Sequence, residues 1–132
     1  MELTEIKIGL TNRVTEMVTD QNTAVTMGSG NLPVYATPAM TCLMEKAAAE
    51  ALEPLLPESW TTVGISLNVA HKAPTPTGME VRAEAEVVAV EGRKVTFTVR
   101  AFDGREEIGS GTHERFAVLR EKFTAKAEAK RC

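Results

Sequence analysis

The sequence predicts an α+β domain in which an antiparallel sheet wraps around one long helix. A helical segment begins at Thr37-Pro38 and continues to about Pro54, and apolar residues alternate with polar ones from Thr61 onward. Clusters of Gly, Pro and Asp separate these alternating runs. A helix and a sheet that each carry one apolar face are stable when the two faces cover each other. The 132 residues fit one domain, residues 1–132.

The elements before the helix are predicted as strand and loop. Residues 11–27 are rich in Val and Thr with partial alternation, which favours one or two strands. Gly28 and Gly30 then indicate a flexible loop. Thr37 is a good N-cap residue, and Pro38 suits the first helical position, where its missing N–H costs nothing.

Four strands are predicted after the helix. Apolar residues occupy every second position in the first three of them: Val63, Ile65, Leu67 and Val69; Val81, Ala83, Ala85 and Val87; Val95, Phe97 and Val99. Hairpin turns are expected at residues 74–78, 91–93 and 103–105. The last strand is predicted over residues 107–119, followed by a short polar helix or a frayed tail.

The composition excludes several classes of protein. A formal net charge of −3 and 25% charged residues offer no electrostatic footprint for nucleic acid or for an anionic membrane. No apolar run approaches the roughly 20 residues of a membrane span, and the N-terminus lacks a signal-peptide pattern, so we expect a cytoplasmic protein. The two cysteines and two distant histidines have no metal-ligand spacing, so we expect no zinc site.

One carboxylate on the predicted helix has unusual neighbours. An apolar stripe on this helix contains Met40, Met44, Ala47 and Ala51, and a polar stripe contains Lys46, Glu50 and Glu53. Glu45 belongs to neither stripe, and its neighbours one turn away are small, so another group can approach it closely. Glu45 is therefore either a functional carboxylate or a residue at the edge of the solvent face.

Thr37 and His71 are the other candidates for chemistry. His71 follows the alternating residues of its strand in steps of two, so its ring is predicted to face the helix. Thr37 stands at the helix N-terminus, where Ala39 and Met40 can offer free N–H groups to an oxyanion. Separately, the two residues could be a cap and a core histidine. Together with Glu45 they form a set suited to acid–base or nucleophilic catalysis, whereas Cys42 paired with His71 is a weaker alternative.

Several separated segments resemble the fluoroacetyl-CoA thioesterase family, a branch of the hotdog-fold thioesterases. They are VYATPAM with LME, VGISLNVAHKAPTPTG, VEGRKVTFTV, and DGREEIGSGTHERF followed by EKF, between about residues 34 and 126. The resemblance implies a helix wrapped by an antiparallel sheet, a homodimer, and hydrolysis of a short-chain acyl-CoA thioester without metal or cofactor. It assigns catalysis to Thr37, Glu45 and His71, and places Gly64 beside the acyl group.

Three further residues are expected near the substrate. Tyr35 is the single aromatic residue in MGSGNLPVYATP, where the family has lid phenylalanines, so we expect a weaker preference for fluoroacetyl groups. Ala39 is expected to contribute its N–H group. Arg115 is expected to bind the substrate, and four basic residues could meet its phosphates: Lys72, Arg115, Arg120 and Lys122.

Two other functions remain open at this stage. A hotdog dimer could bind acyl-CoA without catalysis, or it could hydrate an enoyl-CoA. The homodimer itself is also predicted from physical grounds, because an open sheet has edge strands that a two-fold copy can pair.

Overall fold

The computed structural model describes residues 3–131. Five strands form one antiparallel sheet: β1 (Thr11–Met17), β2 (Trp60–His71), β3 (Glu80–Glu91), β4 (Lys94–Phe102) and β5 (Glu107–Leu119). Their spatial order is β1-β3-β4-β5-β2. The three helices are α1 (Ala24–Met27), α2 (Thr37–Leu52) and α3 (Arg120–Glu128), with 3-10 turns at Glu53–Leu55 and Ala129–Arg131. The predicted α+β class, with a curled antiparallel sheet against one long helix, is confirmed.

The core lies between α2 and the concave face of the sheet. The predicted apolar stripe of α2 is buried, and Met40, Met44 and Ala47 are fully enclosed. The predicted inward positions of β3 and β4 are also fully buried: Val81, Ala83, Ala85, Val87, Val95, Phe97 and Val99. Small residues on α2 allow the sheet to approach the helix closely, which explains why so much of the core is Ala and Val.

Strand β2 differs from its prediction at a bulge. The strand register passes from Gly64 opposite Arg115 to Ser66 opposite Glu114, so Ile65 is an extra residue. Because one inserted residue reverses the alternation, the prediction that Val63 and Ile65 face inward was wrong, and Ile65 is 50% exposed.

After the bulge, β2 regains the predicted phase. Val69 and His71 lie opposite Gly111 and Gly109 of β5. A side chain on Gly109 would meet Met40 of α2, so this face points toward the helix. The inward orientation of His71 is confirmed.

The start of α2 also differs from its prediction. Ala36 is the N-cap residue and makes no side-chain capping bond, so Thr37 is already helical and Pro38 follows it. The prediction that Thr37 is the N-cap was wrong, because the Thr37 hydroxyl bonds to His71 of strand β2 instead. Before it, residues predicted as strand or loop form the short helix α1, which Thr23 caps and Gly28 ends at φ +75°.

The C-terminal elements of the fold lie where the sequence predicts them. Strand β5 has the predicted bounds, and α3 is a polar helix with no buried residue. Within residues 3–131, no helix combines the length and the apolar character that a membrane crossing requires.

Candidate active site

Thr37 and His71 are in direct contact where α2 begins and β2 ends. The Thr37 Oγ1 atom lies 2.7 Å from His71 Nδ1. Thr37 is exposed, so the hydroxyl is accessible from solvent. A neutral imidazole that accepts this hydroxyl proton at Nδ1 is in position to act as a base toward it.

The surroundings of His71 favour its neutral form. Burial lowers the pKa of His71, because the charged ring loses solvation. The Nε2 atom is buried and has no hydrogen-bond partner within residues 3–131. An unsatisfied buried polar atom costs stability and therefore needs an explanation, and a catalytic role is one such explanation.

A small open cavity adjoins this pair. It has a volume of about 270 Å³, and its lining includes Tyr35, Thr37, His71 and Lys72. The Met40 N–H already donates to the Ala36 carbonyl at 3.0 Å. Of the two N–H groups expected to be free at the helix start, Ala39 is therefore the better candidate for binding an oxyanion.

Tyr35 is among the lining residues of this cavity, but its hydroxyl bonds to Glu16. The side chain is 1% exposed, and its hydroxyl donates to Glu16 Oε2 at 2.5 Å. Burial, together with the neighbouring carboxylate, raises the pKa of Tyr35 far above its usual value. Tyr35 therefore anchors the chain before Thr37 to strand β1, and it is enclosed where a lid residue would be exposed.

Glu45 lies at a second position, two turns further along α2. Its Oε2 atom is 3.7 Å from Arg115 Nη1, and its side chain is 44% exposed. A Cβ atom at Gly64 would lie only 2.6 Å from this carboxylate oxygen. The absent side chain of Gly64 therefore makes room for the carboxylate, which borders a cavity of about 230 Å³ also lined by Leu67 and His113.

Arg115 is buried, in contrast with the surface position expected for a phosphate contact. It is 7% exposed. Its Nε and Nη2 atoms donate to the Thr62 hydroxyl and carbonyl at 2.9 Å each, and its Nη1 atom lies 3.2 Å from His113 Nε2. The guanidinium is therefore held by the protein and directed toward Glu45.

One chain does not bring the three predicted catalytic residues together. Eight residues separate Thr37 from Glu45, which corresponds to about 12 Å along a helix axis. Within residues 3–131, the ion pair of Glu45 is with Arg115, and no hydrogen bond or ion pair joins it to His71. The site consists of a Thr37–His71 pair and a separate Glu45 cluster, which we define as Glu45, Gly64, Thr62, His113 and Arg115.

The sequence analysis did not place Thr62 or His113 in the site. His113 precedes Arg115 by two residues on β5, so the two side chains share a face of the sheet. That spacing was a usable signal. Thr62 was hidden by the bulge, since the predicted phase of β2 placed it on the outer face.

The sheet curled around a buried helix, with a histidine of the edge strand against the helix N-terminus, defines a hotdog-fold protein. The solved structure of the fluoroacetyl-CoA thioesterase FlK is similar, with a TM-score of 0.90, 36% identity, and coverage of 96% of this chain and 98% of that chain. A hot-dog-like protein from Thermanaerovibrio acidaminovorans has a TM-score of 0.91, 25% identity, and coverage of 100% and 98%.

The sequence comparisons agree with the structural ones. The family model described as FlK, fluoroacetyl-CoA-specific thioesterase, matches residues 18–121. The fluoroacetyl-CoA thioesterase of Streptantibioticus cattleyicolor is 45% identical over 97 residues, which are 74% of this chain and 70% of that protein. This chain belongs to the fluoroacetyl-CoA-specific thioesterase family, and the resemblance found in the sequence is confirmed.

Proposed function

We propose that this thioesterase hydrolyses short-chain acyl-CoA to the free acid and CoA with Thr37, His71 and Glu45, and that it does so as a homodimer. The observation that carries the assignment is the 2.7 Å contact between the Thr37 hydroxyl and His71 Nδ1. A hydroxyl that touches a neutral imidazole at the mouth of a cavity is the arrangement that nucleophilic and general-base hydrolysis both need.

The reaction begins with proton transfer to His71. The ring takes a proton from the Thr37 hydroxyl, or from a water that this hydroxyl positions, and the oxygen attacks the thioester carbonyl carbon. The Ala39 N–H at the start of α2 stabilises the oxyanion that forms. The carbon–sulfur bond then breaks, and the imidazolium returns its proton to the CoA thiolate. When Thr37 is the nucleophile, water hydrolyses an acyl-threonine in a second step.

The exposed edge of β2 supports the homodimer. Residues 64–68 of this strand are all exposed, and they include Ile65 and Leu67. Pairing β2 with its two-fold copy would cover these apolar side chains and satisfy the edge hydrogen bonds. An obligate interface of this kind buries on the order of 2,000 Å² or more.

The same pairing gives Glu45 its part in the reaction. Antiparallel partners run in opposite directions, so the Gly64 end of one β2 lies toward the His71 end of the other. The Glu45 carboxylate of one protomer then faces the substrate held at the partner's Thr37. There it activates water or stabilises the histidine while the thioester is cleaved.

The acyl group is small. The cavity beside Glu45 is about 230 Å³, and Gly64 and Arg115 border the same carboxylate. The family acts by name on fluoroacetyl-CoA, but the segment before Thr37 contributes no exposed aromatic residue, so we expect a weaker preference for fluorine here. We assign Tyr35 and the Ala39 N–H group to the reacting end of the site, next to Thr37. We place the enzyme in the cytoplasm.

The test is thiol release from a panel of acetyl-, fluoroacetyl- and longer acyl-CoA thioesters. Wild type is expected to release CoA, and Glu45→Gln and His71→Ala are each expected to lose most of the activity. Glu50→Gln, an exposed carboxylate on the same helix, is the matched control. If both active-site variants stay within a few-fold of wild type, the assignment is wrong.

The same panel separates the two other functions. Tight binding of an acyl-CoA without thiol release would favour a non-catalytic binding module. Hydration of an enoyl-CoA without thiol release would favour a hydratase.

A further inference from the structure

His113 is a buried histidine that the proposed reaction does not use. It is 1% exposed, lies on β5, and its ring stacks on Phe97 of β4 with the centroids 6.2 Å apart. Its Nδ1 atom is 2.8 Å from the Ser66 carbonyl oxygen. A carbonyl only accepts hydrogen bonds, so Nδ1 must carry the proton.

The other ring nitrogen leads to the same tautomer independently. Arg115 Nη1 lies 3.2 Å from His113 Nε2. A guanidinium only donates, so Nε2 must be the acceptor and the ring must be neutral. Both contacts of His113 are therefore satisfied by one protonation state alone.

The Arg115 nitrogen that donates to His113 also forms the ion pair with Glu45. Arg115 Nη1 lies 3.7 Å from Glu45 Oε2. A path thus runs by hydrogen bonds from Ser66, directly after the β2 bulge, through His113 to Arg115, and by an ion pair from Arg115 to the Glu45 carboxylate. A rigid partner on Nη1 fixes the plane of the guanidinium and hence the position of its ion pair.

We propose that neutral His113 is a positioning residue that holds Arg115 where it orients the Glu45 carboxylate. This inference rests on the proposed part of Glu45 in thioester hydrolysis. It gives Arg115 a role inside the site, because the guanidinium then acts through Glu45 and has no need to contact a phosphate.

The groups around His113 favour the neutral ring. Burial is the largest cause that lowers the pKa of His113, and the adjacent Arg115 cation lowers it further. The hydrogen bond to Ser66 and the carboxylates of Glu45 and Glu114 oppose these effects but do not reverse them. Protonation would place a second N–H against the guanidinium and break the path at its centre.

Two substitutions cut the path at different ends. His113→Gln can place an amide oxygen near the Nε2 position, so Arg115 keeps an acceptor. His113→Asn can place an amide N–H near the Nδ1 position, so Ser66 keeps its donor while Arg115 loses its acceptor. We expect kcat/KM to fall about ten-fold or more in His113→Asn, mainly through kcat, and to stay within about three-fold of wild type in His113→Gln. Equal activity of wild type and His113→Asn would overturn the proposal.

The tautomer gives a readout that does not depend on activity. The chain has only two histidines. Long-range ¹H–¹⁵N spectra of His71→Ala therefore report on His113 alone, even in variants that hydrolyse nothing. We expect a neutral ring with the proton on Nδ1 at pH 7. A proton on Nε2, or a charged ring, would contradict the proposal whatever the kinetics show.

The outcomes also separate this inference from the proposed function. Full activity of Glu45→Gln would rule out both the catalytic role of Glu45 and the positioning role of His113. The Nδ1–H tautomer would still be observed if His113 bonds to Ser66 and Arg115 as described. Loss of activity in Glu45→Gln with full activity in His113→Asn would leave the proposed function intact and refute the positioning role.

Discussion

The start and the middle of helix α2 hold their polar groups differently. At the Thr37 end, His71 shares one hydrogen bond with the threonine, and its Nε2 atom is buried without a partner within residues 3–131. Beside Glu45, in the middle of the helix, each nitrogen of the Arg115 guanidinium has an acceptor. A satisfied network is rigid, whereas an unsatisfied one retains capacity to move protons. Under the proposed function, the first region carries out the chemistry and the second places a charge precisely.

The largest expected effect is on the Thr37–His71 pair. Replacing His71 by Ala removes the base that lies 2.7 Å from the Thr37 hydroxyl. We expect kcat/KM for acetyl-CoA to fall by about 10³-fold, within the usual range for general-base catalysis. Thiol release measures this loss, and circular dichroism checks that the variant is folded. A loss below ten-fold would remove His71 from the reaction.

The second region is tested by adding one methyl group. In Gly64→Ala the new Cβ atom would lie 2.6 Å from Glu45 Oε2 and 3.1 Å from His113 Cε1, so the carboxylate must shift. We expect kcat/KM to fall by about 10- to 100-fold, as a displacement near 1 Å in an active site can cause. Gly104→Ala is the matched control, because its nearest atom would be Met79 Cε at 3.7 Å, an ordinary contact. Equal activity of the two variants would show that room beside Gly64 is unimportant.

The pH dependence distinguishes the two histidines. Because the pKa of His71 is lowered, kcat/KM should be flat near pH 7 and should fall about ten-fold per pH unit below that pKa, as the base becomes protonated. His113→Gln should keep this acid limb, since His71 remains. A limb that disappears in His113→Gln would mean that His113 is the titrating group.

The free energy of unfolding should also decrease at low pH. Folding lowers the pKa of both His71 and His113, so below about pH 6.5 the unfolded chain binds more protons than the folded one. The free energy of unfolding should therefore decrease as the pH falls from 6.5 toward the folded-state values. Urea unfolding at several pH values measures it, and a constant free energy over this range would contradict the burial of neutral rings.

The smallest effect is expected at Tyr35. Tyr35→Phe removes the hydrogen bond to Glu16 but keeps the buried aromatic ring. We expect a loss of about 1 kcal/mol in the free energy of unfolding and activity within about three-fold of wild type. A much larger loss of activity with unchanged stability would show that the Tyr35 hydroxyl takes part in the reaction.

The comparison also explains what the sequence could predict. Period-two and period-3.6 patterns are local, so they located α2, strands β3 to β5 and the inward ring of His71. The bulge at Ile65 left no local signal, because Ile suits either phase of a strand, and it concealed Thr62. The Thr37 hydroxyl was predicted as a cap because capping is a local choice, whereas its bond to His71 joins residues 34 positions apart.

The central claim is that the two regions form one active site across two protomers. Thr37→Ala and Glu45→Gln are purified separately, then mixed, unfolded and refolded together so that protomers exchange. A mixed dimer then holds one site with intact Thr37 and the partner's intact Glu45. We predict recovery to about a quarter of wild-type activity, because half of the dimers are mixed and each carries one intact site. If the mixture remains as inactive as the two separate variants, the regions do not cooperate across the interface and the account is wrong.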